Sequence, residues 1–121
     1  MAKSVLIVED EPNIVESLAF LLEREGLVVH NEPDGAAAMA RIAELCPDLL
    51  ILDVMLPNRS GFDILRDIQG SEYNMPKVLM LTAKGQPRDR QMAEEIGVDR
   101  FITKPYSNAD IISEIRGLLG I

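Results

Sequence analysis

Cysteine and histidine are nearly missing from this sequence, which has one of each, Cys46 and His30. A single cysteine forms no internal disulfide, which fits a reducing compartment. One thiol and one imidazole also supply too few ligands for a zinc site. Standing before Pro47, Cys46 reads as a small buried thiol at a helix end. His30 falls in a short apolar run and reads as a structural or edge histidine. Positive charge is scarce too: 12 Lys and Arg face 20 Asp and Glu, for a net charge of −8 at pH 7. A field of that sign repels nucleic acid, so direct DNA or RNA binding is not expected. No apolar run approaches the length of a membrane span. Val5-Leu6-Ile7-Val8, behind one lysine and before two acids, is too short for a signal-peptide core, and a cytoplasmic protein is expected. There is no repeat, linker or low-complexity tract. At 121 residues, 47% hydrophobic and 26% charged, the chain is expected to be one domain, residues 1–121, around a single core.

What remains is an alternation of short apolar runs and amphipathic stretches. Leu49-Leu50-Ile51-Leu52 followed by Asp53 reads as a buried strand that stops at a carboxylate. Ser4 to Val8, Leu27 to His30, Val78 to Leu81 and Arg100 to Thr103 read as four further strands. Between them, apolar residues recur at helical spacing over Asn13–Glu25, around Ala38, Met39 and Ile42, at Phe62, Leu65 and Ile68, and over about Arg88–Ile96. Pro12 suits a first helical turn, Gly26 a helix C-terminus, and Pro33-Asp34-Gly35 a turn. Ser107 with Asp110 resembles a capping box before a last helix that carries Ile111, Ile115, Leu118 and Leu119. Met75 and Met80 read as core or loop filler. Five strand–helix pairs predict an α/β fold, a five-stranded parallel sheet with helices on both faces.

In such a sheet, ligands sit beyond the carboxyl ends of the strands. Those ends carry Glu9-Asp10, Asp53, Thr82 and Lys104-Pro105. Each alone has an ordinary explanation: a helix-terminal acid, a β-branched strand residue, a solvated lysine. Their joint placement at four strand ends does not. Clustered carboxylates repel one another unless a cation intervenes. Oxygen ligands with room for water suit Mg²⁺. A carboxylate beside Mg²⁺ and a lysine can accept a phosphoryl group, because the two cations neutralise the charge that develops. A threonine hydroxyl at the neighbouring strand end could then bond a phosphoryl oxygen.

Five segments in this order, Val5-Leu6-Ile7-Val8-Glu9-Asp10-Glu11-Pro12, Leu52-Asp53-Val54-Met55-Leu56-Pro57, Ser60-Gly61, Leu81-Thr82-Ala83 and Phe101-Ile102-Thr103-Lys104-Pro105, make the chain similar to a receiver domain of a bacterial response regulator. The resemblance spans essentially all 121 residues. It implies a flavodoxin-like, doubly wound (βα)5 fold with strand order 2-1-3-4-5, working as the phosphoacceptor module of a two-component phosphorelay. Asp53 would take phosphate from a histidine kinase or a histidine phosphotransfer protein. Glu9, Asp10, Asp53 and the Met55 backbone carbonyl would hold Mg²⁺, with Mn²⁺ as a substitute. Lys104 would pair with the phosphate, ahead of a cis peptide to Pro105. Thr82 and Phe101 would be the switch pair, although Phe101 also fits a plain core aromatic. Met55, Ala83 and Lys84 would tune access to the phosphate. The module would be no enzyme beyond its own phosphoryl transfer and autodephosphorylation.

The resemblance leaves open a homodimer through the face of the fourth helix, fifth strand and fifth helix, and fits either a free-standing receiver or a longer regulator with an effector domain beyond Ile121. Transcription-factor relatives usually carry two acids before the fifth strand. Here Asp99-Arg100 reverses one charge, which counts against that dimer mode. Arg90, Glu94, Arg100, Glu114 and Arg116 are the polar candidates on this face. Two other readings compete. A haloacid-dehalogenase-type phosphatase also uses a strand-end Asp with Mg²⁺, but needs Asp-x-Asp on its first strand, whereas Asp53-Val54-Met55 lies on the third. A receiver that acts without phosphate would have lost site residues that are all present here.

Overall fold

The structure, a computed structural model, describes residues 2–72, 74–83 and 87–121. Five strands alternate with five α-helices: β1 Ser4–Val8, α1 Pro12–Arg24, β2 Val28–Glu32, α2 Ala38–Leu45, β3 Leu49–Asp53, α3 Gly61–Gln69, β4 Lys77–Thr82, α4 Pro87–Ile96, β5 Arg100–Thr103 and α5 Asn108–Leu119. The strands form one parallel sheet in the order β2-β1-β3-β4-β5. Chain order reverses beside β1, which lies between β2 and β3. That is the flavodoxin-like arrangement, and it opens a crevice at the strand ends where the two halves diverge.

Period-two alternation divides the strand residues between two cores. Leu6, Val8, Leu50, Leu52, Val78 and Met80 face α2, α3 and α4, meeting Ile42, Ile64, Leu65, Ile68 and Ala93. Val5, Ile7, Leu49, Ile51, Leu79 and Leu81 face α1 and α5, meeting Leu18, Leu22, Ile111, Ile115 and Leu119. A strand covered on both faces can be apolar throughout, which is why all five residues of β3 are buried. Each fully buried Leu or Ile contributes roughly 1.5–3 kcal/mol relative to its exposed state.

Helix ends follow local chemistry. Pro12 opens α1, where its missing N–H costs no hydrogen bond. The Ser60 and Ser107 hydroxyls accept from the Asp63 and Asp110 N–H groups, at 3.2 and 3.0 Å, and so start α3 and α5. Gly26 closes the α1 turn at φ +83.

Two sequence expectations need correction, the bounds of the second strand and the burial of Cys46. The second strand starts at Val28 and runs to Glu32, because β1 pairs with it over its whole length, from Ser4–Val28 to Val8–Glu32. Polar Asn31 belongs there since its side chain donates to the Ile7 and Glu9 carbonyls, at 2.9 and 3.3 Å. The Pro33-Asp34-Gly35 turn leads straight into a 3₁₀ turn, Gly35–Ala37, which Asp34 caps by accepting from the Ala36 N–H at 2.9 Å. Cys46 is exposed rather than buried. It ends α2 in the left-handed conformation, φ 46, because Pro47 disfavours a further right-handed residue before it. That geometry takes the thiol off the apolar stripe of α2.

Candidate functional site

The carboxyl edge of the sheet collects residues from four strands. Glu9 and Asp10 follow β1, Asp53 ends β3, Thr82 ends β4, and Lys104 follows β5. Register aligns them: Val8 pairs with Leu52, Asp53 with Leu81, and Thr82 with Thr103. Backbone bonds continue past the strands, from the Val54 N–H to the Leu81 carbonyl at 3.1 Å and from the Lys104 N–H to the Thr82 carbonyl at 2.7 Å. The Lys104–Pro105 peptide is cis.

Lys104 Nζ lies 3.1 Å from Glu9 Oε2 and 3.2 Å from Asp53 Oδ1, with Glu11 Oε1 farther off at 3.9 Å. Glu9 is fully buried and Asp53 is 4% exposed, whereas Asp10 stands in solvent. Carboxylate oxygens of Glu9, Asp10 and Asp53 all come within 4.8 Å of one another. Two buried carboxylates, Glu9 and Asp53, therefore share one ammonium at close range, with Asp10 beside them. Burial pushes the Glu9 carboxyl above its ordinary value, and the Asp53 charge adds to this. Burial likewise raises Asp53, and Lys104 only partly offsets it. Burial alone would lower Lys104, but Asp53 and Glu9 outweigh it and the net shift is upward. A site with this surplus of hard oxygen donors fits a small divalent cation such as Mg²⁺.

An open cleft of about 780 Å³ leads to these groups, lined by Asp10, Asp53, Met55, Ala83, Lys104 and Tyr106 among others. Met55 is 76% exposed at its mouth, and Ala83 is exposed and small. Lys84 lies outside the described residues. The loop carrying Met55 is held from below. Asn58, at φ 68, donates to Asp34 Oδ1 at 2.9 Å, and the Gly35 N–H donates to the Pro57 carbonyl at 3.2 Å. Arg59 reaches Asp67 on α3 through both Nε and Nη2.

Thr82 is buried, and its hydroxyl donates to Asp89 Oδ2 on α4 at 2.9 Å. Phe101 is partly buried against the α2–α3–α4 core, with the Arg90 guanidinium 5.9 Å from its ring centroid. Asp89 and Tyr106 did not emerge from the sequence. Asp89 reads there as an ordinary first-turn helix acid, and Tyr106 carries no motif beyond following Pro105.

On the α4–β5–α5 face, Arg90 pairs with Glu94 at 3.1 Å and Arg100 with Glu114 at 3.0 Å. Asp99 turns inward and accepts from the Val78 N–H at 2.8 Å. Arg116 does not join this face: it reaches across to Glu25 at the end of α1. His30 sits on β2, at the sheet edge away from the acids.

Residues 5–116 match the family model for the response regulator receiver domain. Among solved structures, the chain is similar to the signal receiver domain of a signal transduction histidine kinase from Syntrophus aciditrophicus, with 34% identity, 98% and 91% of the two chains covered, and a TM-score of 0.90. It is also similar to the BeF3-activated N-terminal receiver domain of Klebsiella pneumoniae RstA, with 30% identity, 97% and 98% covered, and a TM-score of 0.90. The chemotaxis response regulator CheY4 of Vibrio cholerae shares 25% identity over 98% and 100% of the chains, with a TM-score of 0.88.

Proposed function

The chain belongs to the response regulator receiver family and is a phosphorylation-activated module of two-component signalling; from that premise we propose that Asp53 is its phosphoacceptor. The observation that carries this reading is the Lys104 ammonium held 3.2 Å from Asp53 and 3.1 Å from Glu9 at the carboxyl edge of the sheet.

The donor is a phosphohistidine of a histidine kinase or a histidine phosphotransfer protein. An Asp53 carboxylate oxygen attacks phosphorus while the P–N bond breaks. Its electron pair leaves with the imidazole, which takes up a proton from water. Asp53 then carries an acyl phosphate. Lys104 is already placed to neutralise charge on the transferred group, so little reorganisation is needed during transfer. Glu9, Asp10, Asp53 and the Met55 carbonyl would hold Mg²⁺, or Mn²⁺ in its place, which would supply the remaining positive charge. Exposed Ala83 leaves the cleft open to an incoming donor, and Met55, Ala83 and Lys84 set how readily water later hydrolyses the acyl phosphate. Catalysis by this chain goes no further than its own phosphorylation and dephosphorylation.

Phosphorylation favours a second packing in which Thr82 faces the phosphoryl group and Phe101 turns inward. The α4–β5–α5 face reads out that change, to a second copy of the chain or to an effector domain beyond Ile121. Residues 1–121 are the receiver unit of a bacterial, cytoplasmic protein. Among the described residues no helix is long and apolar enough to cross a membrane.

Incubation with acetyl phosphate and Mg²⁺ tests the assignment. The wild type should gain the mass of one phosphoryl group, stable in acid and lost in base, and Asp53→Asn should not. No gain in the wild type, or an equal gain in the variant, refutes it.

A further inference from the structure

Thr82 is 2% exposed and ends β4, one position beyond the Asp53–Leu81 register pair. Its hydroxyl does not stand free. It donates to Oδ2 of Asp89, the third residue of α4, at 2.9 Å. A hydroxyl has one proton and can give it to one acceptor at a time. We infer that Asp89 is the positioning residue for Thr82, holding that proton away from Asp53 until a phosphoryl oxygen competes for it. This deepens the phosphoacceptor reading and rests on it.

The exchange is balanced by its chemistry. Thr82 gives up one anionic oxygen acceptor and gains another, so turning the hydroxyl costs little net hydrogen-bond energy, and a small bias can decide which packing dominates. With no acceptor at position 89, a buried hydroxyl would be left unpaired, which proteins tolerate poorly. Facing the phosphoryl group is then its remaining recourse. The next residue extends the tie, since Arg90 lies over the Phe101 ring at 5.9 Å. Two consecutive residues at the start of α4 therefore hold both Thr82 and Phe101. Release of Thr82 frees the first turn of α4 from the end of β4, and that moves the face a partner would read.

The plain alternative is that Asp89 is only a favourable acid in the first turn of a helix. The two differ in what depends on Thr82. The test measures binding of beryllofluoride, an analogue of the phosphoryl group, by fluorine NMR in the presence of Mg²⁺. Removing a charge-assisted hydrogen bond that opposes binding should tighten it about 10–100-fold in Asp89→Ala. Asp89→Asn keeps an acceptor oxygen but loses its charge, and should fall between the wild type and Asp89→Ala. In a Thr82→Ala background, Asp89→Ala should have no further effect. Unchanged affinity in Asp89→Ala overturns the inference. So does an equal gain in Asp89→Asn, which would trace the effect to charge alone, and so does a gain that persists without Thr82. If the wild type neither binds beryllofluoride nor takes phosphate, the phosphoacceptor reading itself has failed. Phosphorylation with no response at Asp89 removes only the inference.

Discussion

Gly61 lies directly against the backbone of Asp53: a methyl group on its Cα would stand 2.2 Å from the Asp53 carbonyl oxygen and 3.0 Å from the Val54 Cα. The Gly61 N–H also donates to the Val54 carbonyl at 2.9 Å. The start of α3 and the end of β3 are thus seated on each other, and the obstacle is backbone, which cannot rotate aside. Gly61→Ala should lower the stability by about 1–3 kcal/mol. It should also slow phosphorylation by acetyl phosphate, because the end of β3 must shift. Ser60→Ala removes only the helix cap, costs about 1 kcal/mol, and should leave the rate nearly intact. Denaturant midpoints and rates measured on both variants check this; a fully stable Gly61→Ala would show that the loop yields instead.

Asp53→Asn should be more stable than the wild type when metal is absent. Asp53 and Glu9 both have carboxyls raised above their ordinary values, 3.8 and 4.5. A raised acid binds its proton more tightly folded than unfolded, so ionising it costs stability. The loss begins as pH rises through the ordinary values and is complete above the folded ones. Removing the Asp53 charge should recover about 1 kcal/mol at neutral pH, or about 3–6 °C in Tm for a domain of this size. The gain should vanish below the ordinary range, where Asp53 is protonated in both states. Melting curves in a chelator at acid and neutral pH decide it, and an unchanged Tm at neutral pH would count against this account of the site.

Lys104→Met should act in the opposite direction. It leaves Glu9 and Asp53 buried side by side without their shared cation, at a cost of about 3 kcal/mol at neutral pH. Acidification that protonates the two carboxyls should restore much of this. In the wild type the lysine, whose own value is raised, contributes stability that is complete below its ordinary 10.5 and is lost as pH rises through the folded value. A variant equally destabilised at acid and neutral pH would mean that packing of the lysine stem, not charge, matters here.

Asp10 is exposed, so Asp10→Asn should change metal-free stability by no more than about 0.5 kcal/mol. Its effect should appear with Mg²⁺. A ligand at a hundredfold excess over its Kd stabilises the folded state by about 2.7 kcal/mol, and the variant should lose most of that increment. Protons compete with the cation for Glu9 and Asp53, so the Mg²⁺-dependent rise in Tm should shrink as pH falls. A rise unaffected by Asp10→Asn would place the cation elsewhere.

The sheet was legible because β3, apolar on both faces and ended by Asp53, cannot be a surface element. The polar strand ends followed from topology. Where residues depend on a distant partner, the sequence was silent. Asn31 and Glu32 look like loop until β1 is laid beside them. Arg116 shares a helix with Glu114, yet it turns to Glu25, 91 positions earlier, on another helix. Asp89 reads as a helix-terminal acid, and only the folded chain brings Thr82 to it. Cys46 was misjudged because its burial depended on a backbone reversal of a kind usually left to glycine.

That reversal has a practical use. The thiol at the end of α2 is the sole cysteine of the chain. It precedes β3, and Asp53 closes that strand at its other end, roughly 15–20 Å away at the usual rise per residue. A maleimide dye or biotin coupled there would tether or label the molecule by its far side. Successive loading and decay events could then be watched on single molecules with the reactive cleft left unencumbered.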